Sequence, residues 1–538
     1  MQTDYDYIII GSGSAGAVIA NRLTASGKHN VLLLEAGRKD RYFWMNVPMA
    51  FMRTLQHGGF AWYDPILATQ STGGRDMILI QGKTLGGGSS VNGMIYIRGQ
   101  KEDFNGWRDD AGCTGWGWND VLPYFKKSEN LGRGGSDEFH GRTGELKLSW
   151  IDDLPLTSRR AMEAMQQFGL PFNEDVNSGH QDGVGYQLAT IHRGRRQSSA
   201  RAFLQPIRRR RQNLTILTDA HVRRILIENG RATGVEVALP GGTGPFRARR
   251  EVVLSAGAVG SPHILQHSGI GDAQHLKAIG VEPLVHSPMV GENLQDHMFA
   301  HVKFGVAGRR YSLNHKLRST PRMAVELAKW IVTGGGLLGA SSAHFCAFIK
   351  SNDSLPRADL QLAMRPFSLL PMPGYVTTDT FPGMMISAIQ TRPYSRGNVR
   401  IQSNDPAKRA RVDMNYLSDE RDMQILIGGL RQIRKIAAMP ALEGIVTGEL
   451  EPGSGRISDE DLAAYIRDTT STVAHPVGTV RMGGNAQDPL TPRLKLRGVE
   501  GLRVADASVM PRITSGNTNA PAIMIGEKAA DMILEDAA

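Results

Sequence analysis

The first forty residues carry the pattern that most constrains the fold. A short strand-like run at 5–10 (YDYIII) becomes wholly apolar and leads directly into Gly-x-Gly-x-x-Gly at 11–16. Residues 17–26 have helical apolar spacing, and the apolar run Val31–Leu34 is followed by Glu35. Strand, glycine turn, helix, strand and acid in this order predict a nucleotide-binding unit of a doubly wound α/β sheet.

Each part of this motif has its own physical task. Gly11 permits a tight turn, Gly13 lets the backbone approach a pyrophosphate, and Gly16 lets helix and strand pack closely. The helix N-terminus adds partial positive charge, and Glu35 can accept hydrogen bonds from a ribose diol. The unit predicts dinucleotide binding but leaves FAD and NAD open. The residues predicted to bind are Gly11, Ser12, Gly13, Ser14, Ala15, Gly16, Glu35 and Ala36.

Size and composition exclude several classes of protein. A chain of 538 residues with 41% hydrophobic and 21% charged residues is typical of a globular protein with more than one core. Two cysteines, Cys113 and Cys346, exclude a disulfide framework and a four-cysteine metal site, and no metal is predicted. No signal peptide and no apolar run of about twenty residues is evident, which predicts a cytoplasmic protein.

The net charge is +10, and residues 208–211 are all arginine. The pairs Arg195-Arg196 and Arg223-Arg224 lie nearby in sequence. Aromatic residues are not interleaved and no reader motif is present, so no nucleic acid partner is expected. The arginines are interpreted as a solvated surface. Peripheral attraction to an anionic membrane, at its inner face, is the alternative left open.

The chain alternates between nucleotide-domain signals and other material. Strands are expected at 214–217, 222–227 and 233–237, with Asn229-Gly230 as a hairpin turn. Alternating runs between 297 and 403 predict an antiparallel sheet, with helices at 321–332 and 423–436. The predicted fold is therefore α/β (α+β overall), a Rossmann-like domain interleaved with an antiparallel substrate domain. The nucleotide domain takes 1–155, 206–300 and 468–538, and the substrate domain takes 156–205 and 301–467.

Several segments are more specific. Residues 82–99 read GKTLGGGSSVNGMIYIRG, and further motifs stand at 260–271, 290–297, 392–397, 475–479, 504–508 and 516–521. In these segments the chain resembles the glucose–methanol–choline oxidoreductase family, with Gly88 replacing the usual serine. The matches run in family order over essentially the whole chain. The resemblance implies that the dinucleotide is FAD.

The resemblance also places residues around the flavin. Asn92 and Gly93 are expected beside the ring, Asp506 near the ribityl chain, and Val222 and Ala256 at the adenine half. Some family members attach FAD through a histidine before the loop asparagine, where this chain has Val91, so FAD is expected to be non-covalent. The remaining residues implied to bind FAD are Gly82, Thr84, Leu85, Gly86, Ser90, Met94, Ala507, Asn517 and Thr518.

The family reaction removes two hydrogens from an alcohol and passes a hydride to flavin N5. His475 is interpreted as the general base, since an imidazole near its ordinary pKa of roughly 6.5 accepts a proton close to neutral pH. Asn517 takes the second position of the family's active-site pair and is expected to orient the substrate oxygen, because an amide cannot take the proton. The alternative is that His475 is an ordinary buried histidine.

The substrate is less defined. Choline-oxidising relatives carry a glutamate against the trimethylammonium group, and alignment puts His344 there, which would not favour choline. A small-molecule primary alcohol, oxidised to the aldehyde, is expected. Its electrons would pass to a quinone-type or other non-O₂ acceptor. The alternatives are an O₂-using alcohol oxidase, an FAD-containing hydroxynitrile lyase and a non-catalytic FAD-binding protein. Monomer and dimer remain equally open.

Overall fold

The computed structural model describes residues 3–372 and 375–538. Most of its strands belong to two large sheets, and the rest form two-stranded pairs or a four-stranded third sheet. In chain order the strands are β1 Asp4–Ile10, β2 Val31–Leu34, β3 Ala61–Ile66, β4 Met77–Gly82, β5 Glu129–Leu131, β6 Leu146–Ile151, β7 Gly183–Ala189, β8 Ile191–His192, β9 Arg195–Arg196, β10 Leu214–Leu217, β11 His221–Glu228, β12 Arg231–Leu239, β13 Gly242–Leu254, β14 Ile270–Gly271, β15 Val285–His286, β16 Met298–Val306, β17 Phe345–Ile349, β18 Leu360–Arg365, β19 Leu369–Met372, β20 Tyr375–Thr378, β21 Gly383–Gln390, β22 Asn398–Arg400, β23 Arg411–Asp413, β24 Val446–Glu451, β25 Ser471–Thr472 and β26 Leu502–Val504.

The helices range from single turns to five turns. They are α1 Ser14–Leu23, α2 Phe51–Gln56, α3 Lys101–Asp109, α4 Trp118–Ser128, α5 Leu156–Gln167, α6 Gly257–His267, α7 Ala273–Ala278, α8 Asn314–Leu317, α9 Thr320–Thr333, α10 Glu420–Ala437, α11 Asp459–Thr469 and α12 Asn519–Ala537. No helix in the described part of the chain combines the length and the apolar character needed to cross a bilayer.

The first sheet is the nucleotide-domain sheet. Its strand order is β10-β2-β1-β13-β12-β11, with β26 also paired to β13. The strands β10, β2, β1, β13 and β26 pair in parallel, and β12 and β11 add antiparallel edges. Every residue of β2 is buried, as parallel strands covered on both faces require. Apolar residues of α1 and α12 pack with this sheet in one core. The Rossmann-like prediction is confirmed.

The second sheet is largely antiparallel. Its order is β24-β16-β21-β18-β17-β7-β6-β5, with β25 also paired to β16. Only the β5–β6 pair in it is parallel among the described residues. The amphipathic helix α10 packs its apolar face onto this sheet through Leu426, Leu430 and Ile433. The predicted antiparallel sheet is therefore present.

The chain passes between the two sheets earlier than expected. Strands β5 and β6 lie within residues 1–155, yet they pair with the second sheet. The division into 1–155, 156–205, 206–300, 301–467 and 468–538 remains a prediction.

Local elements follow the sequence signals closely. The hairpin of β11 and β12 turns at Asn229 (φ 50°) and Gly230 (φ 77°), as an Asn-Gly turn should. The first helix is a correction: it spans Ser14–Leu23 rather than 17–26. It begins earlier because Gly13 is its extended N-cap residue. The chain then leaves the helix before Gly27, whose φ is +75°.

Candidate active site

A cavity of about 1080 Å³ lies between the two large sheets. The β1–α1 turn and the end of β2 form one wall, and Phe299, Gln361 and Ile389 of the second sheet form another. This volume lies just above the range of ordinary ligand pockets, which span about 300–1,000 Å³. It therefore has room for a dinucleotide and a small substrate together.

Most of the residues expected to bind the cofactor line this cavity. They are Gly11, Gly13, Ser14, Ala15, Glu35, Ala36, Gly82, Asn92, Gly93, Met94, Val222, Ala256, Asp506, Ala507, Asn517 and Thr518. The others are buried without lining it: Ser12, Gly16, Thr84, Leu85, Gly86 and Ser90. Polar side chains among them bond within the surrounding loops instead. Thr84 Oγ1, for example, donates to the Arg38 carbonyl (2.9 Å).

The three motif glycines differ in their surroundings. Gly11 has φ +95°, and a Cβ there would lie 2.3 Å from the Ser255 carbonyl oxygen. A Cβ on Gly16 would lie 2.0 Å from the Gly11 oxygen. Around Gly13, by contrast, no atom lies within 4 Å of the Cβ position. Gly11 and Gly16 are required by packing, whereas Gly13 opens onto the cavity, where a pyrophosphate can approach the backbone.

Glu35 lies at the end of β2 with its carboxylate already engaged by the protein. Its Oε2 accepts from Ser12 N (3.1 Å) and Ser12 Oγ (2.6 Å), and its Oε1 accepts from Gly37 N (2.8 Å). Burial raises the pKa of Glu35. Each carboxylate oxygen has two lone pairs, so the group keeps acceptor capacity for a ribose hydroxyl.

Two helix N-termini reach the same cavity. Ser14 begins α1 and Asn519 begins α12, and Ser14 Oγ donates to Asn519 Oδ1 (2.7 Å). Proline at 521 lies in the first turn of α12, where it leaves no unpaired N–H. Both ends supply partial positive charge to phosphate or reduced flavin. Together with the opening at Gly13, they fit an FAD molecule.

Asp506 lies between the cavity and α6. Its Oδ2 accepts from Gly257 N (2.9 Å) and Ser261 Oγ (2.6 Å), and its Oδ1 accepts from Ser508 N (2.7 Å). Burial raises its pKa. These bonds fix the loop that carries Ala507 on the cavity wall.

His475 and Asn517 are brought together at the cavity wall from positions 42 residues apart. His475 Nε2 lies 3.0 Å from Asn517 Nδ2, and His475 Nδ1 lies 3.0 Å from His297 Nδ1. His297 Nε2 lies 3.0 Å from the carbonyl oxygen of Thr391. These four groups form one hydrogen-bonded chain.

The donor and acceptor roles along this hydrogen-bonded chain are fixed by its last member, the Thr391 carbonyl. The Thr391 carbonyl can only accept, so Nε2 of His297 is its protonated nitrogen. In neutral His297 the Nδ1 must then accept from the Nδ1–H of His475. Nε2 of His475 is then the unprotonated nitrogen and accepts from an N–H of Asn517. The base atom of His475 is therefore Nε2, at the cavity.

The protonation of His475 differs from the sequence expectation. Desolvation of the partly exposed ring, and then the neighbouring His297, lower the pKa of His475 well below its ordinary value. Burial also lowers the pKa of His297 to about 4. The expectation of an imidazole near its ordinary pKa is wrong, because desolvation disfavours the charged ring. Both rings are neutral at neutral pH, so the base form is fully present.

Sequence reasoning missed two residues that position this pair, His297 and Asp296. Asp296 Oδ1 accepts from the backbone N–H of His475 (2.7 Å), and its Oδ2 accepts from Tyr416 and Thr472. Both residues lie in the 290–297 segment, which was recognised as a family motif without a role. That motif was the available signal, but its pairing with His475 is made only by the fold.

The sequence prediction for Arg196 is also wrong. The sequence placed it on a solvated surface, but it is 3% exposed. It donates to the Met45 carbonyl (2.8 Å) and to Asn92 Oδ1 (2.8 Å), beneath the glycine loop. Burial lowers its pKa to about 9. It supports the Asn92 side chain at the cavity wall.

His344 does not line the cavity. Its ring is 1% exposed and lies against Ser158, with Nδ1 3.1 Å from the serine Oγ. Its neighbours Ser342 and Ala343 line the cavity instead. The expectation that His344 faces the substrate is corrected, because the chain turns its side chain toward α5.

Comparison with known proteins shows the family of this chain. The GMC oxidoreductase N-terminal model matches residues 5–299, and the C-terminal model matches 393–526. An oxygen-dependent choline dehydrogenase of Photobacterium profundum is 37% identical over 99% of this chain and 94% of its own length. An "alcohol dehydrogenase [acceptor]" of Pseudomonas putida is 38% identical over 98% of this chain and 96% of its own.

Solved structures show the same fold. A pyridoxine 4-oxidase from Mesorbium loti superposes with a TM-score of 0.87 at 31% identity, covering 98% of both chains. A formate oxidase of Aspergillus oryzae, studied for the modification of its FAD, superposes with a TM-score of 0.90 at 26% identity over 99% of both chains.

Proposed function

Because the chain belongs to the GMC oxidoreductase family, whose cofactor is FAD, we propose that it oxidises a primary alcohol to the aldehyde. His475 is the general base of this proposal, and Asn517 orients the substrate oxygen. One observation carries it: the hydrogen-bonded chain from Thr391 leaves Nε2 of His475 unprotonated at the cavity. Bound FAD supplies the acceptor for the hydride.

The residues divide the remaining work between them. An alcohol hydroxyl that enters between the two side chains replaces their hydrogen bond: it donates its proton to His475 Nε2 while its oxygen accepts from an N–H of Asn517. Asn517 Oδ1 is buried without a hydrogen-bond partner in the described part of the chain, so it offers an acceptor to a bound substrate. The proton taken up by His475 leaves a positive charge in a buried site.

That charge is shared with a neighbour. The Nδ1–H of His475 already points at the lone pair of His297, so a protonated His475 forms a charge-assisted hydrogen bond to a neutral ring. The Thr391 carbonyl holds the far side of that ring. This arrangement stabilises the protonated base through a neutral ring, while the Asp296 carboxylate bonds to the backbone of His475 rather than to its ring.

We infer that the electrons pass to a quinone-type or other non-O₂ acceptor. The similarity to the alcohol dehydrogenase [acceptor] of Pseudomonas putida supports this choice. The likeness to two oxidases and to the oxygen-dependent choline dehydrogenase of Photobacterium profundum favours the alternative, direct reoxidation by O₂. Mixing the reduced enzyme with air and, separately, with a soluble quinone distinguishes the two by the rate at which flavin absorbance returns.

The central test mixes the FAD-loaded protein, without oxygen, with choline and with aliphatic, aromatic and sugar alcohols. We expect at least one primary alcohol to bleach the flavin absorbance. His475→Ala should slow bleaching by about 10²–10⁴-fold, the usual contribution of a general base, while FAD stays bound. His180→Ala, which removes an exposed histidine, should bleach at the wild-type rate.

Two outcomes would contradict the proposal. A flavin that stays yellow with every alcohol means that the protein does not dehydrogenate them, as for a lyase or a non-catalytic FAD protein. Unchanged bleaching by His475→Ala means that another group is the base.

A further inference from the structure

Arg365 places a guanidinium group in the cavity wall opposite the nucleotide side. It is the last residue of β18. Gln361, Ala363 and Arg365 are every second residue of this strand, so their side chains lie on one face of it, and all three residues line the cavity. Its Nη1 donates to Ser387 Oγ on the neighbouring strand β21 (3.3 Å). This is the one hydrogen bond of the Arg365 side chain among the described residues.

The bond to Ser387 shows where the guanidinium lies. In the β18–β21 register Ser387 pairs with Ala363, which precedes Arg365 by two residues in β18. The side chain therefore runs back along the sheet toward Ile389, which pairs with Gln361 and with Phe299. Phe299 in turn pairs with Ser471, four residues before His475. Arg365 and His475 line the same cavity, and the Ser387 and Ile389 levels lie about 7 Å apart along the strand.

No carboxylate compensates this charge. Several other arginines have acidic partners: Arg98 pairs with Glu129, Arg22 with Glu527, and Arg503 with Glu251. The buried Arg196 has none, but it donates to three oxygens, those of Met45, Ser89 and Asn92. Arg409, which also lines the cavity, pairs with Asp64. Within the described residues, no carboxylate oxygen lies in ion-pair range of Arg365. Burial alone lowers its pKa, and a guanidinium stays charged in proteins.

The other unpaired charges that line the cavity are also positive. Of the described acidic residues, only Glu35 and Asp506 line the cavity, and both are on the nucleotide side with their carboxylates bonded to the protein. Two exposed arginines, Arg53 and Arg318, also line the cavity. Arg318 donates to the Thr378 carbonyl (2.8 Å). A cavity lined by one sign of charge attracts ligands of the other.

We propose that the alcohol substrate carries an oxyanion, a carboxylate or a phosphate, and that Arg365 binds it while the hydroxyl lies at His475. The inference rests on the proposed function and makes Arg365 the residue that selects the substrate class. A planar guanidinium offers paired donors that match either oxyanion. A trimethylammonium group in the same place would face an unpaired cation, so choline is a poor substrate.

The test compares alcohols of one shape that differ in charge, using the FAD-loaded enzyme. 4-(Hydroxymethyl)benzoate and 4-(hydroxymethyl)phenyl phosphate provide the two oxyanions, and methyl 4-(hydroxymethyl)benzoate, benzyl alcohol and choline provide the neutral and cationic comparisons. We expect one oxyanionic alcohol to exceed the methyl ester in kcat/KM by about 10–100-fold, as a charge-assisted hydrogen bond implies. The better of the two identifies the oxyanion.

Variants assign this preference to the residue. Arg365→Met should remove it, so that the oxyanionic alcohol and its methyl ester are oxidised with equal kcat/KM, and Arg365→Lys should keep part of it. Arg322→Met removes an equal charge from the exposed surface of α9 and should keep the full preference. Bound FAD, measured by absorbance, checks that each variant is folded.

The possible failures are separable. If benzyl alcohol bleaches the flavin but the oxyanionic alcohols have no advantage, or keep it in Arg365→Met, the assignment of Arg365 is overturned and the proposed function stands. If no alcohol is oxidised, the proposed function fails. Binding of benzoate, followed by the flavin difference spectrum, then decides on Arg365: equal affinity in wild type and Arg365→Met overturns the anion site.

Discussion

At the scale of single residues, the reactive atom of His475 is set by a neighbour rather than by the histidine itself. His297 is held by the Thr391 carbonyl and therefore accepts the Nδ1–H of His475. This fixes the tautomer that presents a lone pair at Nε2. His297 touches His475 and lies outside the cavity wall, so it acts as a positioning residue.

Replacing His297 by leucine should lower kcat by at least about 10-fold, a part of the contribution of a general base, with little change in KM. The leucine cannot accept from His475, so both tautomers become populated. His297→Gln offers a carbonyl oxygen as acceptor and should recover part of the rate. Steady-state kinetics of the three proteins provide the measurement, and equal kcat in all three would contradict the role of His297.

The same residues set the pH profile. Burial keeps the pKa of His475 well below its ordinary value, so its base form persists as the pH falls through about 6.5. The acid limb of kcat/KM against pH should therefore lie below that value in the wild type. An acid limb at or above it would show that His475 does not titrate as a buried ring.

At the scale of elements, the loop between β4 and α3 supports the cofactor by packing. Arg196 bonds to Asn92, and Ser89 Oγ accepts from the backbone N–H of Ser199 (2.8 Å). Val91 lines the cavity at 3% exposure. Its isopropyl group has no nucleophilic atom with which to bond a flavin.

FAD should consequently be non-covalent. Precipitating the protein with acid is expected to release the yellow colour into the supernatant, because only packing and hydrogen bonds retain the cofactor once the fold is lost. Absorbance of the supernatant and of the redissolved pellet measures the split. Flavin remaining in the pellet would require an attachment at another residue.

At the scale of the whole molecule, the active site exists only because two sheets close on each other. One sheet supplies the glycine motif and Glu35, and the other supplies Gln361 and Arg365. His475 lies on the loop that follows β25. The core that permits this also buries histidines in the neutral form. Burial lowers the pKa of His344 to about 4 and that of His267 to about 4.

Such a histidine makes stability depend on pH in a known direction. Between about pH 6.5 and 4 the unfolded chain binds a proton that folded His344 does not, so stability falls as the pH falls, by up to about 1.4 kcal/mol per pH unit for one group. His344→Gln cannot titrate, and its Tm should fall less steeply than that of the wild type between pH 6.5 and 5. His180→Gln, at an exposed site, should follow the wild type, and parallel curves for all three would contradict a buried neutral His344.

The sequence by itself determined the Rossmann-like unit, the antiparallel sheet, the family and its FAD, because these depend on local spacing: glycines at a turn, apolar periods of two and 3.6, and short contiguous motifs. It also named His475 and Asn517 as a pair. Only the tertiary structure decided the state and surroundings of these residues. The neutral His475, the buried Arg196, the removal of His344 from the cavity and the uncompensated Arg365 all depend on which distant segments exclude water from a side chain, and no local pattern in the chain specifies that burial.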